Sequence, residues 1–272
     1  MKPAPFDYLR PGSVAEAVRA LVDAGGDAKL LAGGQSLVPV LALRMARPRV
    51  LIDINRIPGL SSITPLDGGV RLGGLVRHCM LAEQTDHPLL AEAAGWIGHT
   101  AIRSRGTTGG SIAHADPAAE LPAVAAALEA KIHISGVGGD RVVGAANFFT
   151  GALETVLADD EMITAVDMPR PSRWGFSELA RRHGDFGLVT VVAAEVGGIW
   201  RLAIGGVAGV PVRPGEAEQL LNAGAPAEQI ADAAAAAIDP SSDIHASAEY
   251  RRAMTREFTR RAVRQSGRQV AA

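Results

Sequence analysis

Two short runs of small residues and hydroxyls are where this chain could do chemistry. Ala32-Gly33-Gly34-Gln35-Ser36 sits between an apolar run and a helical stretch that begins at Leu37. Thr107-Thr108-Gly109-Gly110-Ser111 lies in a long polar stretch further on. Consecutive backbone N–H groups in glycine-rich turns converge into anion-binding nests, and glycine lets a ligand approach the main chain. A helix start directly behind such a turn adds a favourable dipole. Two such loops, from different parts of the chain, can grip the two halves of a pyrophosphate. The same composition also serves plain turns, and that reading stays open beside the first.

Other chemistry is hard to find. There is no G-x-G-x-x-G fingerprint, Walker A, H-E-x-x-H or G-x-S-x-G elbow. The seven histidines show no i, i+4 pairing, which leaves each a surface or hydrogen-bonded side chain before a ligand. The single cysteine, Cys79, excludes an internal disulfide, a four-cysteine zinc site and an iron–sulfur cluster held by this chain alone. Cys79 itself reads as a small buried hydrophobe.

The elements that must position the two loops can be read coarsely. Ser13 followed by Glu16 is a capping box, and Val14, Val18, Leu21 and Val22 give a helix over 13–24 that Gly25-Gly26 stops. Strands are expected at 29–32 and 50–54, with a helix from Leu37 to about Met45: an α/β opening. Gly68-Gly69 and Gly73-Gly74 bracket a hairpin. A helix over 88–97 precedes Arg103 to Pro117, which reads as a long functional loop in which Asp116 caps the Pro117 turn. A helix at 119–130 and strands at 131–135 and 161–168 follow. Pro169-Arg170-Pro171-Ser172 is a domain joint. Beyond it, 174–181, 188–195, 199–205 and 207–210 read as a meander, followed by helices at 215–223, 226–238 and 247–266. In the last, Tyr250, Met254, Phe258 and Ala262 form one stripe.

The chain has 272 residues, 47% hydrophobic and 21% charged, with a net charge of −2. It is long enough to bury a full core without metal or disulfide. The charge balance gives no reason to expect nucleic acid, and 4% aromatics argue against a base-stacking surface. No apolar run reaches about 18 residues, so no transmembrane helix is expected. The N-terminal MKPAPFDYLRPGS lacks the apolar core of a secretory signal. The expected location is cytoplasmic.

Three stretches carry a family resemblance: AGGQSLVPVLALRMARPRVLIDI, IRSRGTTGGSIAHADPAAELPAVAAALEA and RRHGDFGLVTVVAAE. They resemble the FAD-binding subunit of molybdenum hydroxylases, of the carbon monoxide dehydrogenase medium-subunit type in the xanthine dehydrogenase family. The likeness runs in order along the whole chain. It implies an α+β architecture: a PCMH-type (vanillyl-alcohol-oxidase-like) FAD-binding fold in two α/β subdomains, about 1–55 and 56–171. A C-terminal domain over 172–272, with a three-stranded antiparallel sheet and helices, would complete it. Carried over residue by residue, Ala32, Gly33, Gly34, Gln35, Ser36 and Leu37 match the first pyrophosphate loop, with Gln35 where the family often has His. Thr107, Thr108, Gly109, Gly110 and Ser111 match the second, with Ser111 where Asn is common. Glu120 stands where an Asp contacts the adenosine part. Ile163 matches an aliphatic residue near the flavin, and Phe186 stands where a Tyr flanks the isoalloxazine ring. Glu178 stands where relatives can carry Lys, and no contact is carried over there.

The function so implied is an electron relay. A flavin takes electrons in pairs and releases them singly or in pairs, and this chain shows no acid–base constellation for an organic substrate. Partner chains would supply the rest: a small subunit with 2Fe-2S clusters and a large subunit with the molybdenum cofactor, typically as a dimer of heterotrimers. Electrons would leave FAD for an external acceptor. Two alternatives remain: a self-sufficient PCMH-type flavin oxidase or reductase, and a binding module that kept the fold and lost FAD.

Overall fold

In the computed structural model, residues 2–267 are described. The chain opens with β1 (Asp7–Leu9), α1 (Val14–Ala24), β2 (Ala28–Leu31), α2 (Leu37–Ala42) and β3 (Val50–Asp53). The three strands form a parallel sheet in the order β1-β3-β2. Ser13 caps α1 by accepting from the Glu16 N–H, and Gly25 ends it in the left-handed region. The reciprocal arm of the expected capping box lands one residue earlier, because Glu16 Oε2 accepts from the Gly12 N–H at 2.8 Å. Ala17, Val18 and Leu21 bury the inner face of α1 against Ile52 and Ile54.

The second layer begins with β4 (Ile63–Leu66) and β5 (Gly69–Gly73), the expected hairpin. Then come α3 (His78–Ala82), α4 (Pro88–Trp96), α5 (Thr100–Arg103), α6 (Thr108–His114) and α7 (Glu120–Leu128). Strands β6 (Lys131–Gly136), β7 (Gly139–Gly144), β8 (Phe149–Gly151), β9 (Glu154–Thr155) and β10 (Met162–Pro169) complete it. The main sheet is antiparallel, ordered β4-β5-β10-β6-β7, with an irregular register in β10 between Ile163 and Ala165.

The stretch from Arg103 to Pro117 is therefore only partly loop, since α6 takes up its middle. Thr107 caps α6 through its side chain, and the last turn closes at Ala115 in the left-handed region. Helix propensity is poor there because of Gly109 and Gly110, and tertiary packing overrides it. Helix α7 is buried at all nine residues, the signature of a helix surrounded by protein. It packs on α4 and on two strands of the third layer.

That third layer is β11 (Arg173–Leu179), β12 (Val189–Val196) and β13 (Ile199–Gly205), an antiparallel meander, covered by α8 (Gly215–Asn222), α9 (Ala227–Ala236) and α10 (Ala248–Ser266). The expected strand at 207–210 is a bend; Gly206 at φ +80° turns the chain out, and only Val212 returns to bridge Ile204. Of the stripe assigned to the last helix, Phe258 and Ala262 are buried and Met254 packs against the same cluster, and Tyr250 alone is corrected. Tyr250 is exposed, and the buried face carries Arg251, Thr255, Phe258, Thr259 and Ala262. Arg251 is held by the carbonyls of Leu188 (2.8 Å) and Gly206 (2.7 Å) and by Asp243. Cys79 is half-buried rather than buried.

Helix α10 lies so close to β11 that a Cβ on Gly175 would overlap the Ala262 carbonyl and come within 2.7 Å of its carbon. Both partners are backbone, so neither yields by a rotamer change. Gly175→Ala is expected to cost about 3 kcal/mol, at the upper end for overpacking. Chemical denaturation checks this; a loss below about 0.5 kcal/mol would mean that the helix slides freely.

Candidate cofactor site

The first loop leaves β2 at Leu31 and enters α2 at Leu37. Gly34 adopts φ +73°, which reverses the chain. Its carbonyl accepts from Val38 N–H at 3.0 Å, starting the helix. Among the described residues, none of the six backbone N–H groups from Ala32 to Leu37 donates to a protein acceptor. Gln35 turns its Nε2 back to the Gly33 carbonyl (3.1 Å). Ser36 precedes the helix without capping it, and among the described residues its hydroxyl has no protein partner. Six consecutive unspent donors on half-buried backbone are costly unless something negative or polar covers them, and a diphosphate fits that donor set.

The second loop differs from expectation. Four of its five N–H groups are already spent: Thr108 on Val76 O (2.9 Å), Gly109 on Gly74 O (2.9 Å), Gly110 on Thr107 Oγ1 (3.1 Å) and Ser111 on Thr107 O (2.9 Å). It is a wall rather than a second nest. Its glycines are demanded by protein contacts, since a Cβ on Gly109 would sit 2.7 Å from Gly74 O and one on Gly110 2.7 Å from Thr107 Oγ1. Among the described residues, the Ser111 hydroxyl has no protein partner and is a side-chain polar group this loop can still offer.

The fold brings the two loops together. A Cβ on Gly33 would overlap the Arg105 carbonyl and lie 2.9 Å from Gly106 Cα, and one on Gly110 would touch Ala32 Cβ at 3.9 Å. Gly74 joins them to the main sheet by donating to Thr164 O at 2.8 Å. Ile163, buried at the irregular point of β10, meets the same glycine, with its carbonyl oxygen 2.7 Å from where a Gly74 Cβ would be.

Glu120 and Phe186 stand on other elements. Glu120 is the first residue of α7 and is only 6% exposed. Burial, with Asp116 nearby, pushes its carboxyl up to about 7. Glu178 on β11 is 5% exposed, and burial with the Glu120 charge pushes it up to about 9. Its Oε2 accepts from Thr190 Oγ1 (3.1 Å), and its Oε1 has no protein partner. Phe186 is 71% exposed on the β11–β12 loop, so it is not a core aromatic. That loop is pinned toward α5: Gly184, at φ +89°, leaves no room for a Cβ beside His99, and His183 meets Trp96 edge-on at 5.1 Å. Asp116 does cap its turn, accepting from Ala118 N–H at 2.9 Å.

Sequence reasoning missed Asn55, Arg77 and Gly74, which tie the cradle together. Asn55 Nδ2 donates to Ala32 O (2.8 Å) and Leu31 O (3.2 Å), and its Oδ1 accepts from Arg77 Nη2 at 2.6 Å. Their only signal was position, Asn55 just past β3 and Gly74 and Arg77 just past β5.

Comparison with known proteins fits this geometry. Residues 4–171 match the family described as FAD binding domain in molybdopterin dehydrogenase, and 174–266 match the CO dehydrogenase flavoprotein C-terminal domain. The chain is 40% identical to the 6-hydroxypseudooxynicotine dehydrogenase complex subunit alpha of Paenarthrobacter nicotinovorans, over 96% of this chain and 94% of the relative. It is 38% identical to the carbon monoxide dehydrogenase medium chain of Hydrogenophaga pseudoflava, over 97% of each. The crystal structure of quinoline 2-oxidoreductase from Pseudomonas putida 86 superposes with a TM-score of 0.93 at 32% identity, covering 100% of both chains. With both halves matched and the full-length fold shared, the chain belongs to the family of FAD-binding flavoprotein subunits of molybdopterin dehydrogenases, of the carbon monoxide dehydrogenase medium-chain type.

Proposed function

We propose that this chain is the FAD-holding electron-transfer subunit of a heteromeric molybdenum hydroxylase. It would receive electrons from 2Fe-2S clusters of a small partner and pass them to an external acceptor, while substrate is oxidised at the molybdenum cofactor of a large partner. The assembly is read as a dimer of heterotrimers working in the cytoplasm. The division is read as a FAD-binding part over 1–171 and a C-terminal part over 172–272. Among the described residues no helix is long and apolar enough to cross a membrane.

The observation that carries this reading is the row of six unspent N–H groups from Ala32 to Leu37. They would hold the diphosphate, helped by the Ser36 and Ser111 hydroxyls. Thr107, Thr108, Gly109 and Gly110 shape the opposite wall. Ile163 closes the floor, Glu120 stands toward the adenosine part, and Phe186 offers an exposed ring face to the flavin. When bound, FAD supplies the exchange between paired and single electrons. The chain's own work is to bind and orient that cofactor through main-chain donors, which need no titrating side chain.

The test is reconstitution. The purified chain, stripped of flavin, is expected to take up FAD and release all of the yellow colour on acid precipitation. Failure to bind FAD, or colour retained in the pellet, would sink this reading. Turnover of an organic substrate by the chain alone would favour a self-sufficient flavoenzyme instead.

A further inference from the structure

The two loops are held against each other by a pair of side chains with no assigned role. Asn55 spans the end of the first loop: its amide nitrogen donates to Ala32 O, Leu31 O and Asp53 Oδ1. Its amide oxygen takes the Arg77 Nη2–H at 2.6 Å. Arg77 then donates through Nη1 to the carbonyl of Arg105. That carbonyl is the one on which Gly33 packs, leaving no room for a Cβ. The chain of contacts therefore runs from Ala32 through Asn55 and Arg77 to Arg105, and Gly33 closes it back on the first loop. Arg77 is half-buried and, among the described residues, forms no ion pair with a carboxylate. Burial, with Arg105 nearby, works against its charge more than the Asp53 carboxylate, which Asn55 also touches, works for it. A guanidinium is never deprotonated in proteins, so it remains a fixed cation. A partly desolvated cation, bonded to the side chain that holds Ala32 at the start of the row of free N–H groups, favours an anion there.

We propose that Asn55 and Arg77 form a clamp that locks the two cofactor loops in register, with Arg77 also supplying the fixed positive charge that draws in the diphosphate. This rests on the FAD reading above. Arg77 is the binding residue of the pair and Asn55 the positioning residue.

The experiment titrates the flavin-free full chain with FAD and with ADP at several salt concentrations. Each variant's melting temperature without ligand is recorded alongside. Arg77→Met is expected to weaken both ligands about tenfold or more and to flatten the salt dependence of binding. Arg77→Lys should recover the salt dependence but only part of the affinity, because an ammonium lacks the planar fork. Asn55→Ala should weaken FAD while leaving the salt dependence as in the wild type. A melting temperature close to wild type in these variants separates the clamp from a folding defect. If Arg77→Met does not fold, the Lys and Asn55→Ala variants carry the test. Wild-type-like affinity in both of these, or an unchanged salt dependence in Arg77→Met, overturns the clamp while the FAD reading stands. A wild-type chain that binds neither FAD nor ADP overturns both.

Discussion

Gly33→Ala is expected to empty the chain of flavin and to lower its melting temperature. The added methyl would overlap the Arg105 carbonyl and meet Gly106 Cα at 2.9 Å. Both are backbone, so the two loops must part. The cost is that of overpacking, about 1–3 kcal/mol, or several degrees of melting temperature for a chain of this size at about 2–4 °C per kcal/mol. The larger effect is on binding, because the donors from Ala32 to Leu37 would shift away from the facing wall. Gly144→Ala is the matched control. It lies on the edge strand β7, and a Cβ there meets nothing within 4 Å. Flavin content per chain and melting temperature are the readouts. A Gly33→Ala protein with full flavin would mean that the loop contact does not shape the cradle.

The second large effect concerns the buried acids. Burial raises the carboxyl of Glu178 to about 9 and that of Glu120 to about 7, from an ordinary 4.5. The unfolded chain ionises both above pH 4.5, whereas the folded chain keeps its protons longer, so folding takes up protons. Their contribution is complete below pH 4.5 and is lost as pH rises, through about 7 for Glu120 and about 9 for Glu178. The limiting slope is about 1.4 kcal/mol per pH unit for each proton. Glu178→Gln mimics the protonated acid and keeps an acceptor for Thr190. It is expected to flatten the decline between pH 7 and 9 and to be the more stable protein at pH 9 by roughly 2 kcal/mol or more. Urea denaturation of the two proteins at pH 6, 7, 8 and 9 checks this. Parallel curves would show that Glu178 ionises freely in the fold.

What could be read from sequence was what local rules control. Ser13, Gly25 and the 3.6 period gave α1 within one residue at its start, and alternation with turn glycines found the β4–β5 hairpin. The first loop was legible because Gly34 serves its own turn and the loop's donors stay free, although Gly33 answers to the distant Arg105 carbonyl. The second was misread because Gly109 and Gly110 look like a loop, whereas they are small so that α6 can press against Gly74 and its own cap. The polar face of α10 failed for a related reason. Arg251 is buried only because Leu188 and Gly206 turn their carbonyls toward it, and those turns are tertiary facts. Asn55 and Arg77 were invisible for the same cause, since neither has a local pattern and each matters only through the other.

Helix α7 has a bearing on how the protein is put together. It belongs to the segment matched as the FAD-binding domain, yet β12 and β13 of the other matched segment cover one of its faces. Val192, Ala194 and Ala203 share one apolar cluster with Leu121, Val124 and Leu128. Cutting the chain at the proline joint would leave an alanine-lined helix with a greasy flank in one fragment and an uncovered sheet in the other. The halves are thus two parts of one folding unit and not beads on a string. A clamshell swing between them would have to tear that core.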